Sequence, residues 1–126
     1  MSFCTDMQEV YPLAADMDGM GFISSPHAQN LYYNALINLH TLEAAHGNGM
    51  QPHSYTSSPY LYPEFLQTDT TVRPLKEENA DPAQPQDAYG WERMLTEPLC
   101  LHYQEDYGMA VHILRFHNIC GLQGTW

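Results

Sequence analysis

Apolar positions along this chain fall in short runs and in stripes at a helical spacing of three to four residues, one following the other. Residues 9–15, Glu-Val-Tyr-Pro-Leu-Ala-Ala, make a short apolar run of the kind a buried parallel strand uses. Pro12 sits inside it and removes a ladder donor, which predicts an edge strand or a damaged one. Residues 16–21 follow as a loop in which Gly19 and Gly21 serve either an ordinary turn or a close approach of backbone to a ligand. Ser25 then reads as a helix cap and Pro26 as a first-turn proline, and Leu31, Ala35, Leu39, Leu42 and Ala45 keep one apolar face until Gly47 ends it. Residues 50–56 predict a second strand, made polar and short of ladder donors by Gln51, Pro52, His53 and Ser54.

Residues 57–65 are a hydroxyl-rich loop entry. Residues 67–86 are polar, hold Pro74, Pro82 and Pro85, and show little periodicity, so they predict a long surface loop of the functional type. A second helix opens near Gln86 or Asp87 and places Trp91, Leu95, Leu99 and Tyr103 on one stripe. Pro98 interrupts it at a cost of about 3 kcal/mol, which predicts a kink or a restart with Pro98 in a new first turn. Residues 109–116, Met-Ala-Val-His-Ile-Leu-Arg-Phe, form the clearest strand, with Arg115 looking buried, and Gly121 and Gly124 lead to Trp126 without a closing element. Strand, helix, strand, helix, strand is the order of βαβ units. The fold class is therefore α/β: a parallel sheet of about three strands, right-handed crossovers and flanking helices. Ligands in such sheets lie beyond the carboxyl ends of the strands, and the segments 16–21, 57–62 and 116–121 each follow a predicted strand.

Composition narrows the functions. The 126 residues make one domain with one core. A net charge of −11 repels phosphate backbones, so nucleic acid is excluded as a partner, and a phosphorylated ligand would need backbone amides or helix N-termini to hold it. Cys4, Cys100 and Cys120 contain no CxxC pair and imply neither a disulfide framework nor a zinc ribbon, as in a reducing compartment. The first ten residues lack a basic, apolar leader pattern and no 18 apolar residues run together, so the expectation is a soluble, cytoplasmic protein without a membrane partner.

The stretch around residues 87–97 carries the candidate chemistry. Tyr89 and Arg93 stand four apart, which on a helix stacks a phenol and a cation one turn from each other. A cation there favours the phenolate and brings a tyrosine toward work as a base, as hydride-transfer chemistry on a sugar requires. The same spacing is also common on solvated helices. His112, His117 and Cys120 suggest a metal, but His112 and His117 are an odd number of positions apart and point to opposite faces of an extended chain, so no metal site is assigned.

Four motifs settle what the spacing leaves open. These are residues 13–23 (Leu-Ala-Ala-Asp-Met-Asp-Gly-Met-Gly-Phe-Ile), 57–65 (Ser-Ser-Pro-Tyr-Leu-Tyr-Pro-Glu-Phe), 85–90 (Pro-Gln-Asp-Ala-Tyr-Gly) and 115–126 (Arg-Phe-His-Asn-Ile-Cys-Gly-Leu-Gln-Gly-Thr-Trp). Together they resemble an interior part of the GDP-mannose 3,5-epimerases, a branch of the extended short-chain dehydrogenase/reductases in the NAD-dependent epimerase/dehydratase family. The resemblance implies a partial Rossmann-like domain over residues 1–126. It further implies NAD as the cofactor, taking hydride from C4 of a GDP-mannose-type sugar nucleotide so that protons exchange at C3 and C5 before the hydride returns. By this resemblance Tyr89 is the catalytic base, Ser58 its partner hydroxyl and Tyr60 stands at the proton-exchange position. Arg93 falls at the cofactor-binding position. Asp18, Ser58, Pro59, Tyr60 and Asn118 fall at substrate-binding positions, and the full-length family implies a homodimer.

Departures from the family pattern fall on working parts. Arg93 stands where the family has lysine, replacing a compact ammonium by a planar fork. Tyr60 replaces the cysteine that exchanges protons, a bulkier group whose ordinary pKa of about 10 lies above the thiol's 8.5 or so. Asp18 replaces a glycine against the substrate, and Pro12, Pro52 and Pro98 fall within elements that the family forms without proline. The family's glycine-rich strand-turn-helix unit, its later lysine and its substrate domain have no counterpart in these residues. The expectation is an epimerase homologue inactive on its own. The alternative is a non-catalytic acidic binding or interaction protein built on the same remnant.

Overall fold

The computed structural model describes residues 7–16, 27–67, 74–85, 87–117, 119 and 121. Its elements in chain order are helix α1 (His27–Gly47), strand β1 (His53–Ser57), helix α2 (Ala88–Tyr107) and strand β2 (Val111–Arg115), with short 3-10 turns at Pro59–Leu61, Glu64–Leu66 and Glu77–Ala80. β1 and β2 pair in parallel, with His53 opposite Val111 and Ser57 opposite Arg115. Val10 joins the far side of β1 through a single parallel bridge to His53. The predicted α/β class and parallel order hold. The sheet is a two-stranded ladder with a bridge where three strands were expected, because Pro12 limits the first segment to bonds around Val10.

Both helices have the expected period, and the later part of each expected stripe faces the core, Leu42 and Ala45 in α1 and Leu99 and Tyr103 in α2, while the first turns are rotated from the expected face. α1 buries Asn30, Asn34, Asn38, Leu42 and Ala45, while Leu31 of the predicted stripe is exposed. Polar partners explain the turn of about 100° that one residue's shift makes. The Asn34 side chain accepts from the Asp16 N–H at 2.8 Å and donates to the Asp16 carbonyl at 3.1 Å, and Asn38 donates to the Glu92 carboxylate. Ser25 and Pro26 lie outside the described residues. α2 buries Gly90, Glu92, Arg93, Thr96, Glu97 and Cys100, whereas Trp91 and Leu95 are more than half exposed. Pro98 does not restart the helix: α2 runs as one element through it, and the ring lies on the exposed side, where water can meet the carbonyl it leaves without a donor.

The core sits between the helices and one face of the sheet: Leu42, Ala45, Met50, Tyr55, Cys100 and Met109, with Val10, Leu99, Tyr103, Val111 and Ile113 against it. β1 is polar in sequence yet almost wholly buried, as a strand with a neighbour on each side and a helix layer over it must be. Pro52 lies just before β1, and its carbonyl serves as the acceptor for the Val10 N–H. Of the long predicted loop, residues 74–85 are described; they carry the Glu77–Ala80 turn, bury Ala80 and tie back through the Gln84 N–H to the Leu61 carbonyl at 3.0 Å. Arg115, expected to be buried, is half-buried at the end of β2 and makes a two-pronged ion pair with Glu97 of α2 at 3.0 and 2.7 Å.

Candidate functional site

The site forms where the carboxyl end of β1 meets the first turns of α2. Asp87 caps α2, its carboxylate accepting from the Gly90 N–H at 2.9 Å, and this sets the helix direction just before Tyr89. Across from it, Ser58 is buried and caps the Pro59–Leu61 turn, its hydroxyl accepting from the Tyr60 N–H at 3.4 Å. The two segments touch through Gly90. A Cβ on that glycine would lie 2.9 Å from the Tyr60 carbonyl oxygen and 3.1 Å from the Pro85 Cβ, so only glycine lets α2 approach the 58–60 turn this closely. Above the contact the Tyr60 and Tyr89 rings meet edge to face, centroids 5.6 Å apart.

Arg93 lies beside Tyr89, as the four-residue spacing predicts, but against the ring face: its guanidinium carbon is 4.6 Å from the Tyr89 centroid. Its donors turn inward. Nη1 donates to the Thr56 carbonyl at 2.8 Å and to the Tyr55 hydroxyl at 3.1 Å, and Nε lies 3.2 Å from the Glu92 carboxylate. Glu92, wholly buried, also accepts from Asn38, from the Thr96 hydroxyl at 3.0 Å and from the Tyr55 hydroxyl at 3.4 Å. Burial works against the charge on Arg93, yet Tyr55, Glu92 and Tyr89 together hold its pKa above the ordinary guanidinium value. Tyr55 is pushed far up, by burial first, with Arg93 pulling partly back, so its hydroxyl stays protonated and serves as a structural donor.

The structure thus brings Ser58, Pro59, Tyr60, Tyr89 and Arg93 into one neighbourhood, while Asp18 and Asn118 lie outside the described residues. Tyr55, Glu92 and Asn38, linked to Arg93 from the core side, were not among the residues singled out in the sequence. The one signal for them was the spacing of Asn30, Asn34 and Asn38, a polar stripe at helical period that is visible in the chain. His112 bonds weakly to the Ser54 hydroxyl at 3.4 Å, His117 lies by the Tyr62 ring, and Cys120 is outside the described residues, among which no group of three or more His, Cys, Asp or Glu could hold a metal ion. Nor, among the described residues, is a helix long and apolar enough to cross a membrane.

A family model, "NAD dependent epimerase/dehydratase family", matches residues 2–125. The chain belongs to that family. Among the epimerase/dehydratases, it is 52% identical over 120 residues to the GDP-mannose 3,5-epimerase of Arabidopsis thaliana, which covers 95% of this chain and 32% of that protein. GDP-mannose 3,5-epimerase 1 of Oryza sativa subsp. japonica matches equally, again at 52% identity over 120 residues. The chain therefore spans about a third of the length of these epimerase relatives. Among solved structures, a UDP-N-acetylglucosamine 4-epimerase from Methanobrevibacter ruminantium M1 superposes with a TM-score of 0.76 at 24% identity, covering 94% of this chain and 36% of that one. The RMD protein of Pseudomonas aeruginosa, complexed with NADPH, superposes at 0.65 with 26% identity, covering 82% of this chain and 34% of that one.

A nicotinamide dinucleotide fits the described residues only in part. Tyr89 meets Tyr60, whose N–H the Ser58 hydroxyl accepts from, beyond the carboxyl end of β1, where ligands lie in this fold. Among the described residues no cradle for the dinucleotide's pyrophosphate is seen: the N-terminus of α2 is met by the Asp87 carboxylate, Arg93 is turned inward, and the net charge is −11.

Proposed function

We propose that these residues supply the acid-base face of a GDP-mannose-type 3,5-epimerase, with Tyr89 as base, Ser58 as its hydroxyl partner and Tyr60 at the proton-exchange position, and that the chain does not turn over sugar nucleotide by itself. The observation that carries this reading is the meeting of Tyr89, Tyr60 and the Ser58 cap at the carboxyl end of a parallel strand, held together through Gly90. The 52% identity to GDP-mannose 3,5-epimerase supports the substrate class. Arg93 acts here as the support of Tyr89, its cofactor role given up to the bonds with Thr56, Tyr55 and Glu92. Asp18 and Asn118 belong to the substrate side of the same proposal. A fluorescence titration of the purified chain with NADH tests it: no binding in the micromolar range is expected, and micromolar binding would contradict it.

A second reading, a non-catalytic acidic interaction protein, draws on the outward Trp91 and Leu95, one turn apart and each more than half exposed on α2. Light scattering separates the two: a chain that stays monomeric and captures no second copy at high concentration speaks against it.

A further inference from the structure

Both helices end in the same way, and the two ends meet. Gly49 follows α1 with a φ of 66° and Gly108 caps α2 with a φ of 67°, each in the left-handed region that turns the chain back over its own helix. The residue after each glycine is a methionine. The Met50 N–H donates to the Ala45 carbonyl at 2.9 Å, and the Met109 N–H to the Tyr103 carbonyl at 3.5 Å. Both methionines are buried, at 4% and 5% exposure, and both line one cavity of about 120 Å³. His46, half-buried in the last turn of α1, lines it too. Its ring stacks on that of Tyr107 with centroids 4.2 Å apart, yet among the described residues neither ring nitrogen has a hydrogen-bond partner.

We infer that this cavity is a site for a soft monovalent cation, copper(I), with an imidazole nitrogen of His46 and the thioether sulfurs of Met50 and Met109 as its ligands. Among the described residues no metal site is built from His, Cys, Asp and Glu, but thioether sulfur is a ligand as well, and it selects copper(I) over harder ions. The setting favours a cation. The cavity lies at the carboxyl ends of two helices, where backbone carbonyls leave negative partial charge, and α2 has no basic residue in its last turn to offset it. Glu43, Glu105 and Asp106 add carboxylates near the same helix ends. Zinc suits the site less, since it takes thiolate, imidazole and carboxylate ligands rather than thioethers. Packing alone would be served by leucine at both positions, whereas two thioethers beside an imidazole also make a ligand set. The ion would join the exits of α1 and α2 at the amino ends of β1 and β2, away from Tyr89, so the inference does not depend on the epimerase reading.

The test uses the full 126-residue chain with Cys4→Ser and Cys120→Ser, which removes two thiols that would compete for the ion, while Cys100 stays in the core. The protein, labelled with carbon-13 at its methionine methyls, is titrated anaerobically with copper(I) held in solution by acetonitrile. One equivalent should shift the Met50 and Met109 methyl signals together, leave that of Met94 outside the cavity in place, and raise the melting temperature. Met50→Leu and Met109→Leu keep an apolar side chain, and His46→Phe keeps the stack on Tyr107, while each removes one ligand. Each should weaken binding about tenfold or more, with Met94→Leu as the neutral control. Melting without the ion shows that a variant has lost a ligand and not its fold. No shift at either methyl, a shift at one alone, binding indifferent to all three variants, or equal shifts from zinc(II) would each overturn the assignment.

Discussion

The Arg93 guanidinium carbon lies over the Tyr89 ring, 4.6 Å from its centre, while Nη1 donates to the Thr56 carbonyl at 2.8 Å. One side chain therefore ties the second turn of α2 to β1 and backs the tyrosine. Arg93→Ala would leave the buried Glu92 carboxylate without a cation, so we expect a loss of about 3–5 kcal/mol in unfolding free energy. Arg93→Lys keeps the charge but cannot reach Thr56, Tyr55 and Glu92 at once, and should cost less, about 1–2 kcal/mol. Urea denaturation of both variants checks the order; a lysine variant as unstable as the alanine one would mean that the fork, not the charge, is what Glu92 requires.

Gly90→Ala pits local against tertiary preference. Alanine favours a helix interior by about 1 kcal/mol over glycine. Its Cβ, however, would sit 2.9 Å from the Tyr60 carbonyl, a backbone atom that cannot swing aside. Overpacking of this kind costs about 1–3 kcal/mol, so the net change should be destabilising and should part the Tyr60 and Tyr89 rings. Near-ultraviolet circular dichroism would record the separated rings, and an unchanged aromatic spectrum with a raised melting temperature would refute the close approach.

Most of the element order was legible in the chain because period and punctuation are local properties: Gly47 and Gly49 end the first helix, and Asp87 starts the second. The faces were legible only in part, in Leu42 and Ala45 and in Leu99 and Tyr103, because which side of a helix turns inward depends on what it meets. Asn34 and Asn38 are buried because the Asp16 backbone and the Glu92 carboxylate wait for them, and no count of apolar residues reveals such partners. At the site, the motifs located Tyr89, Ser58 and Tyr60, and the four-residue spacing put Arg93 beside Tyr89. That Arg93 spends its donors inward follows from Thr56 and Tyr55, more than thirty residues away in sequence.

Two buried groups set opposite limits on stability with pH. Burial holds His53 below its ordinary 6.5, so below that pH the unfolded chain binds a proton that the folded chain does not, and stability falls as pH falls. Burial, and then Glu97, push the Cys100 thiol up to about 12. The folded state keeps that proton while the unfolded chain gives it up above roughly 8.5, so stability falls again as pH rises from there toward 12. The urea midpoint should therefore be highest near neutrality. Comparison with His53→Gln at pH 7.5 and 5.5 isolates the acid side, and equal losses in the two proteins would remove His53 from the account.

Arg115 and Glu97 join the end of β2 to the middle of α2 through two bonds of 3.0 and 2.7 Å, and Arg115 also donates to the Glu77 carbonyl at 3.3 Å. Glu97 is nearly buried and Arg115 about a quarter exposed, so water screens the pair on one side only. The Glu97 hydrogen bond leads, and outweighs burial, in holding the Arg115 guanidinium above its ordinary range. Arg115→Gln should therefore destabilise by about 1–3 kcal/mol, below the cost of breaking a fully buried pair and above that of an exposed one. Because Arg115 alone reaches the Glu77 carbonyl from β2, the same variant should also loosen the Glu77–Ala80 turn, whereas Glu97→Gln should leave that turn in place. Amide exchange at Asn79, whose N–H is bonded to the Lys76 carbonyl, distinguishes the two: faster exchange in Arg115→Gln alone supports a two-way tie, and equal exchange in both variants shows that Arg115 acts only through Glu97.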